Sequence, residues 1–437
     1  MKPRNGRSDM TESSVSTRDL FAVFGRIGLL SFGGPAGQIA LMHRELVEEH
    51  KWLDEARFLH ALNFCMLLPG PEAMQLATYA GWLKRGITGG LIAGLLFVLP
   101  GFLVILALSA AFLFYGERPA AEGVLLGLKA AVLAIVVQAL IRLAGRALKT
   151  PLAWILAPAA FIAIALLRLP FPLIVLGAGL IGLGVSLFGR HRESRVSVPV
   201  DVDDGGGSLR AFLLWGAIWL APLIAMVVLF AGPFADMAVF FSKASVVTFG
   251  GAYAVLAYVG QQAVDVHGWL LPGEMLAGLG LAETTPGPLI LVLVFVGFLG
   301  GARSWEHLPI AGGITGALVA LFFTFAPCFL WIFGGAPYVE RLRGVRWLSD
   351  ALAAITAAVV GVIANLAVWF GLHVLFGEVD EVRAGPLHLP TVEPASLDIA
   401  ALTIALGAGV ALIAFRIGLL KVLAGAVAVG VIITLAG

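Results

Sequence analysis

Apolar runs separated by short polar punctuation make up most of this chain, and their lengths follow the demand of a bilayer. A helix needs about 20 consecutive apolar residues to cross one, and the first half supplies such segments at 20–41, 58–83, 88–115, 121–144, 151–167 and 170–188. A charged and then glycine-rich stretch at 189–209 interrupts the series with the composition of an aqueous linker. An apolar segment with no counterpart in the first half follows at 210–233, and six more lie at 234–259, 274–299, 308–334, 348–372, 397–414 and 417–436. The pattern predicts an all-α integral membrane protein of about 13 transmembrane helices, or 12 if one short segment of the last quarter is lost.

The punctuation repeats. Phe24 to Pro71 and Phe241 to Pro288 align without a gap at an offset of 217 residues, and 14 of the 48 positions are identical. The shared residues include Gly33/Gly250, Gly34/Gly251, His50/His267, Trp52/Trp269 and the whole of Pro69-Gly70-Pro71/Pro286-Gly287-Pro288. Helix breakers and polar or aromatic anchors, rather than common apolar residues, are what the duplication keeps, so it predicts helices broken at the FGG and PGP elements. The chain divides into an N-terminal cytoplasmic tail (1–19), a first transmembrane repeat (20–188), a cytoplasmic linker (189–209), an extra transmembrane helix (210–233) and a second repeat (234–437). The odd extra segment turns the second repeat over, giving two homologous halves of inverted topology.

Charge agrees with this arrangement. With the N-terminus inside, 18 of the 28 Lys and Arg residues fall on the inner side and seven on the outer, as the tendency of cationic loops to stay cytoplasmic requires. Three of the outer seven, Arg44, Lys51 and Arg57, share one loop and run against it. Composition narrows the function. Hydrophobic residues make up 60% of the chain, charged residues 13%, and the net charge is +1, which gives no support to nucleic-acid binding. Cys65 and Cys328 lie alone in apolar segments, no clustered Cys/His or HExxH pattern offers a metal site, and no GxxxxGK[ST] loop holds a nucleotide, so no metal or cofactor is expected. The polar stretch before the first apolar segment does not fit a short cleavable signal peptide.

Three cations sit inside apolar segments: Arg26, Lys129 and Lys243. Arg26 and Lys243 are repeat equivalents, seven residues before Gly33 and Gly250, whereas the counterpart of Lys129 is Leu352. A charge near a helix centre costs about 2.5–3.5 kcal/mol on insertion scales, so such residues usually face a cavity or a partner. Two at equivalent positions of an inverted repeat suit one small anion held near the midplane between them. Arg offers a planar fork and Lys a point charge; helix N-termini at Gly33-Gly34 and Gly250-Gly251 add N–H donors, and Ser31 and Thr248 hydroxyls. The bland alternative is snorkelling, because each cation lies within about 10 to 15 Å of its helix start. Pro35, Pro69, Gly70, Pro71, Pro286, Gly287 and Pro288 are candidate break and gating residues, with packing kinks as the plainer reading. Glu72 and Glu283 stand beside the two PGP elements, as proton carriers or as counter-ions. Trp52 and Trp269 read most simply as interfacial anchors, and the acidic segment 377–394 as a solvated connection.

FGGP with a following PGP in the first half, and FGGA with TPGP in the second, resemble the paired signature of the chromate ion transporters in their long-chain, two-domain form. The resemblance covers roughly 20–150 and 235–370. It implies a multi-pass inner-membrane protein that exports chromate, confers chromate resistance and draws energy from an ion gradient. Ala252 stands where the first half has Pro35, making the two breaks unequal. From the residues alone the partner is a small tetrahedral oxyanion, chromate or sulfate, in a bed of membrane lipid, with protons as a candidate coupling ion. The repeat is compatible with a monomer and with a homodimer. An embedded enzyme would call for clustered His or acidic residues at one interface, and the loops offer none.

Overall fold

The computed structural model describes residues 15–32, 34–66, 68–116, 118–188, 206–230, 232–249, 252–335, 346–385 and 387–436. Gly33, Gly250 and Gly251, most of the N-terminal tail and most of the linker lie outside the described residues.

Helix α1 (Thr17–Leu30) is started by Ser16, whose hydroxyl accepts from the Asp19 N–H, and it ends at Ser31 just before the FGG element. Its 14 residues span about 21 Å, short of the ~30 Å hydrocarbon core. The chain restarts as α2 (Gly34–His43), which runs into a π-helical turn at Arg44–Glu49. It then turns back. Glu45 of that turn lies 3.4 Å from Arg26, and the Trp52 ring packs 6.1 Å from Phe24, so the segment after the break returns alongside α1. Next, α3 (Glu55–Cys65) runs to the first PGP element, and α4 (Glu72–Tyr115) leaves it. α4 is two helices folded together at Arg85 and Gly86, where Gly86 takes the left-handed φ of 57°.

The second repeat builds the same sequence of shapes. α9 (Pro233–Val247) stops at Thr248, α10 (Ala252–Gln261) ends in a π-turn at Gln262–Val266, and α11 (Pro272–Thr284) leads to the second PGP. Phe241 and Trp269, equivalents of Phe24 and Trp52, stand 6.2 Å apart. Beyond the PGP, α12 (Val292–Ser304) and α13 (Pro309–Leu330) form a close hairpin. A Cβ on Gly316 would come within 2.0 Å of the Gly297 carbonyl oxygen, so only glycine allows the two backbones to approach this far.

Between and around these lie α5 (Pro119–Ala147), α6 (Pro151–Ala165), α7 (Phe171–Phe188), α8 (Gly206–Leu229), α14 (Arg346–Leu375), α15 (Ile399–Gly409) and α16 (Leu419–Ala436). α5 packs on α14, α15 and α16, and α14 on α6 and α7. Leu180, Leu213, Val228 and Leu435 project outward from this outer layer. Water would not tolerate so much exposed apolar surface, and lipid requires it. The chain is an all-α, multi-pass membrane protein. Six described helices are long and apolar enough to cross on their own: Glu72–Tyr115, Ala121–Ala147, Leu209–Leu229, Pro309–Gly335, Trp347–Leu375 and Leu419–Ala436. Shorter apolar helices lie at Pro151–Ala165, Phe171–Leu187, Leu289–Ser304 and Ile399–Ala414, and α1 and α9 are cut short at the FGG breaks.

One expectation changes and one, the solvated connection, gains an ordered form. Trp269 is 7% exposed and stacks on His267 with ring centroids 4.2 Å apart, so these tryptophans pack into the fold-back instead of anchoring an interface. The acidic connection is ordered as an antiparallel β-hairpin of β1 (Val379–Ala384) and β2 (Leu387–Val392). Arg168 pins it, bridging Glu381 of β1 and Asp265 of the second-repeat π-turn, while the His388 N–H donates to the Leu166 carbonyl. His388, bonded to the Glu381 carboxylate, is the main cause holding that carboxyl below the usual carboxylate range, and Arg168 adds to it.

Candidate functional site

The four breaks meet in pairs. The N–H of Gly70, in the first PGP, donates to the Thr248 carbonyl at the end of α9 over 2.8 Å. The N–H of Gly287, in the second PGP, donates to the Ser31 carbonyl at the end of α1 over 2.9 Å. At the 217-residue offset these are one bond made twice, each repeat doing to its partner what the partner does to it. Such reciprocity is what a twofold relation imposes on a contact. The glycines are required: Gly70 has φ of 115° and Gly287 of 88°, which other residues adopt only at a cost of about 1–2 kcal/mol.

Neighbouring side chains lock the crossing. Ser31 donates its hydroxyl to the Ile27 carbonyl at 3.0 Å and Thr248 to the Ala244 carbonyl at 2.6 Å, again equivalent bonds. Those protons close the last turns of their helices, so the hydroxyls are not free donors for an anion as the sequence suggested. The Gln38 side chain in α2 donates to the Gly287 carbonyl at 2.6 Å, and that of Gln75 in α4 to the Pro69 carbonyl at 2.7 Å. Both glutamines are buried, and Val255 and Val292 occupy the equivalent places in the second repeat. The long helices close over the breaks from both sides. A Cβ on Gly101 would meet the Pro286 carbonyl oxygen at 2.1 Å, and one on Gly70 would meet the Cys328 sulfur at 3.1 Å.

Electrostatics at the crossing follow from these bonds. A broken helix ends in unpaired carbonyls that repel anions, and restarts with unpaired N–H groups that attract them. Here a glycine N–H from the opposite repeat covers a carbonyl at the end of α1 and another at the end of α9. The first turns of α2 and α10 keep the donor side of the break. Gly34, with φ of 69°, has open space where a Cβ would point. Pro35 follows it in α2, where a missing N–H costs nothing, and Ala252 opens α10.

The intramembrane cations are placed differently from one another. Arg26 is half-exposed, with its Nε 3.4 Å from Glu45 and Nη1 3.5 Å from Glu49. Lys243 is exposed on α9, within electrostatic reach of His267. No contact joins either cation to the crossing itself among the described residues; both sit about one turn before it. Lys129 is elsewhere, beside Gly273 and on the wall of a 640 Å³ cavity shared with Glu122, His373 and Asp398. The two acids are placed differently. Glu283 is buried and accepts from the Tyr253 hydroxyl at 2.7 Å, while Glu72 begins α4, where the helix N-terminus favours a carboxylate. Gln38, Gln75, Tyr253 and Glu45 were not singled out from sequence. The signal available was a set of polar residues inside apolar segments, facing valine, alanine or glutamine in the other repeat.

Comparison with known proteins adds the chemistry. The family profile described as chromate transporter matches residues 18–183 and 235–431. The chain is 34% identical over 371 residues to the chromate transport protein of Pseudomonas aeruginosa, with 83% of each chain covered. It is 30% identical to a probable chromate transport protein of Synechococcus elongatus, covering 89% of this chain and 95% of that one, and 28% identical to the chromate transport protein of Cupriavidus metallidurans, covering 82% and 83%. No solved structure matches.

Proposed function

The chain belongs to the chromate transporter family, and from that premise we propose that it exports chromate from the cytoplasm as a secondary transporter, thereby conferring chromate resistance. The observation that carries this reading is the reciprocal crossing. Two broken helices have end carbonyls covered by glycine N–H groups of the opposite repeat, and each chain resumes beyond its break with a fresh helix N-terminus, at α2 and α10. A tetrahedral dianion suits that field. Its oxygens accept from the first turns of α2 and α10, whose dipoles favour negative charge. Arg26 and Lys243, one turn before each break, supply the long-range attraction and direct contact when their side chains swing inward.

Transport follows from the inverted halves. Rocking one repeat against the other about the crossing exchanges which side reaches the site, while the glycine bonds keep the breaks in register. No nucleotide-binding loop is present in the sequence, so the driving force is the electrochemical gradient. A potential that is negative inside expels a dianion, at about 2.3 kcal/mol per charge per 100 mV.

The test is chromate accumulation in cells of a chromate-sensitive host. Expression of the parent protein lowers cellular chromate, and Lys243→Ala abolishes the effect with the protein still present in the membrane. Equal accumulation with and without the parent protein refutes export. Competition by sulfate measures how far the site separates two dianions of the same shape.

A further inference from the structure

Glu45 stands out among the charged groups the transport reading leaves unused. Its side chain is 0% exposed, and neither carboxylate oxygen accepts a hydrogen bond. It lies in the π-turn after α2 and faces Arg26 across the fold-back. Around it stand Arg26 from α1 and, from its own turn, Arg44 at 4.0 Å, Glu49, and His50, whose Nδ1 is 3.8 Å from Oε2 but already engaged with the Glu45 backbone carbonyl at 2.9 Å. Glu48 and Glu55 are exposed and occupied by His43.

Arg26 is held loosely. Its contacts of 3.4 and 3.5 Å are well outside the 2.7–2.9 Å of a tight charge-assisted bond, and the half-exposed guanidinium keeps donors free. The second repeat breaks the symmetry: Gln262 and Val266 replace Glu45 and Glu49, so its equivalent positions are neutral.

We propose that Glu45 couples oxyanion binding to proton uptake. When an oxyanion takes the Arg26 guanidinium, Glu45 loses its nearest counter-ion and keeps Arg44 at 4.0 Å, itself shared with Glu49; a buried carboxylate paired so weakly is more costly than a neutral acid. It therefore gains a proton in the same step. One proton per oxyanion follows, contributed by the first repeat alone. The inference rests on the reading that Arg26 contacts the transported anion.

The test is calorimetric titration of the purified full-length protein with chromate, in buffers of different ionisation enthalpy and across a range of pH. The parent takes up about one proton more than Glu45→Gln, and its affinity weakens by up to about tenfold more per pH unit as pH rises. The protonation of chromate itself is common to both proteins and cancels in the difference. Gln262→Glu places a carboxylate at the repeat equivalent of Glu45 and raises the count by about one further proton. A folded Glu45→Gln protein with the parental proton count overturns the proposal. Should that variant not fold, an unchanged count in Gln262→Glu overturns it instead. A parent protein that binds no chromate refutes the oxyanion reading itself, and the inference falls with it.

Discussion

At the scale of single residues, this membrane protein spends its few polar groups on broken backbone. Ser31 and Thr248 close helix ends, Gln38 and Gln75 hold the PGP carbonyls, and Tyr253 occupies Glu283. The paired cations were legible in the sequence because charges are rare in apolar segments and these two fell on equivalent positions. The carboxylates beside Arg26 were not, since the fold-back that brings residue 45 to residue 26 is a tertiary event. On the proposed role of Arg26, its replacement by Ala removes a charged contact with the anion worth about 1.5–3 kcal/mol, so chromate affinity falls by about 10- to 150-fold. It also strips Glu45 of its nearest cation, which adds a folding penalty that Lys243→Ala does not carry. Thermal unfolding of the two purified variants separates the effects: Arg26→Ala melts lower than Lys243→Ala, while both bind chromate weakly.

Among elements, the breaks matter more than the helices they interrupt. FGG and PGP were readable as interruptions from proline and glycine chemistry, yet nothing in the sequence said that each PGP would cap the broken helix of the other half. That pairing depends on how the repeats dock. Gly287→Ala forces a side chain into a φ of 88° and within 3.0 Å of Leu291, so it costs about 1–2 kcal/mol or more and loosens the bond to Ser31. Gly70→Ala does the equivalent to Thr248. Each single variant is expected to keep membrane insertion and lose most chromate transport, measured as initial efflux rate per unit of protein. The β-hairpin makes a different prediction. Glu381 has a lowered carboxyl value, so the stability it contributes is present above the ordinary carboxylate range and is lost as pH falls through the lowered value. Hydrogen exchange in residues 379–392 should accelerate in that acid window, and Arg168→Ala should accelerate it already at neutral pH.

For the whole molecule, alternating apolar runs and a single odd segment specified a duplicated membrane protein, and the inverted relation of its halves remains a prediction. Single cysteines placed in turn at Lys84 and Glu306, each introduced into a protein cleared of Cys65 and Cys328, should be labelled by an impermeant reagent from opposite sides of the membrane. Counting independent spans from hydropathy worked less well, because a run such as 20–41 holds two short arms that meet at a break and fold back. The duplicated breaks gain their meaning only together: each interruption is satisfied by a glycine N–H of the other repeat. The most direct test of that account is a chromium anomalous map from crystals soaked in chromate. The account predicts a peak at the crossing, near the first turns of α2 and α10 and within reach of Arg26 or Lys243. A peak confined to the cavity beside Lys129, with the crossing empty, contradicts it.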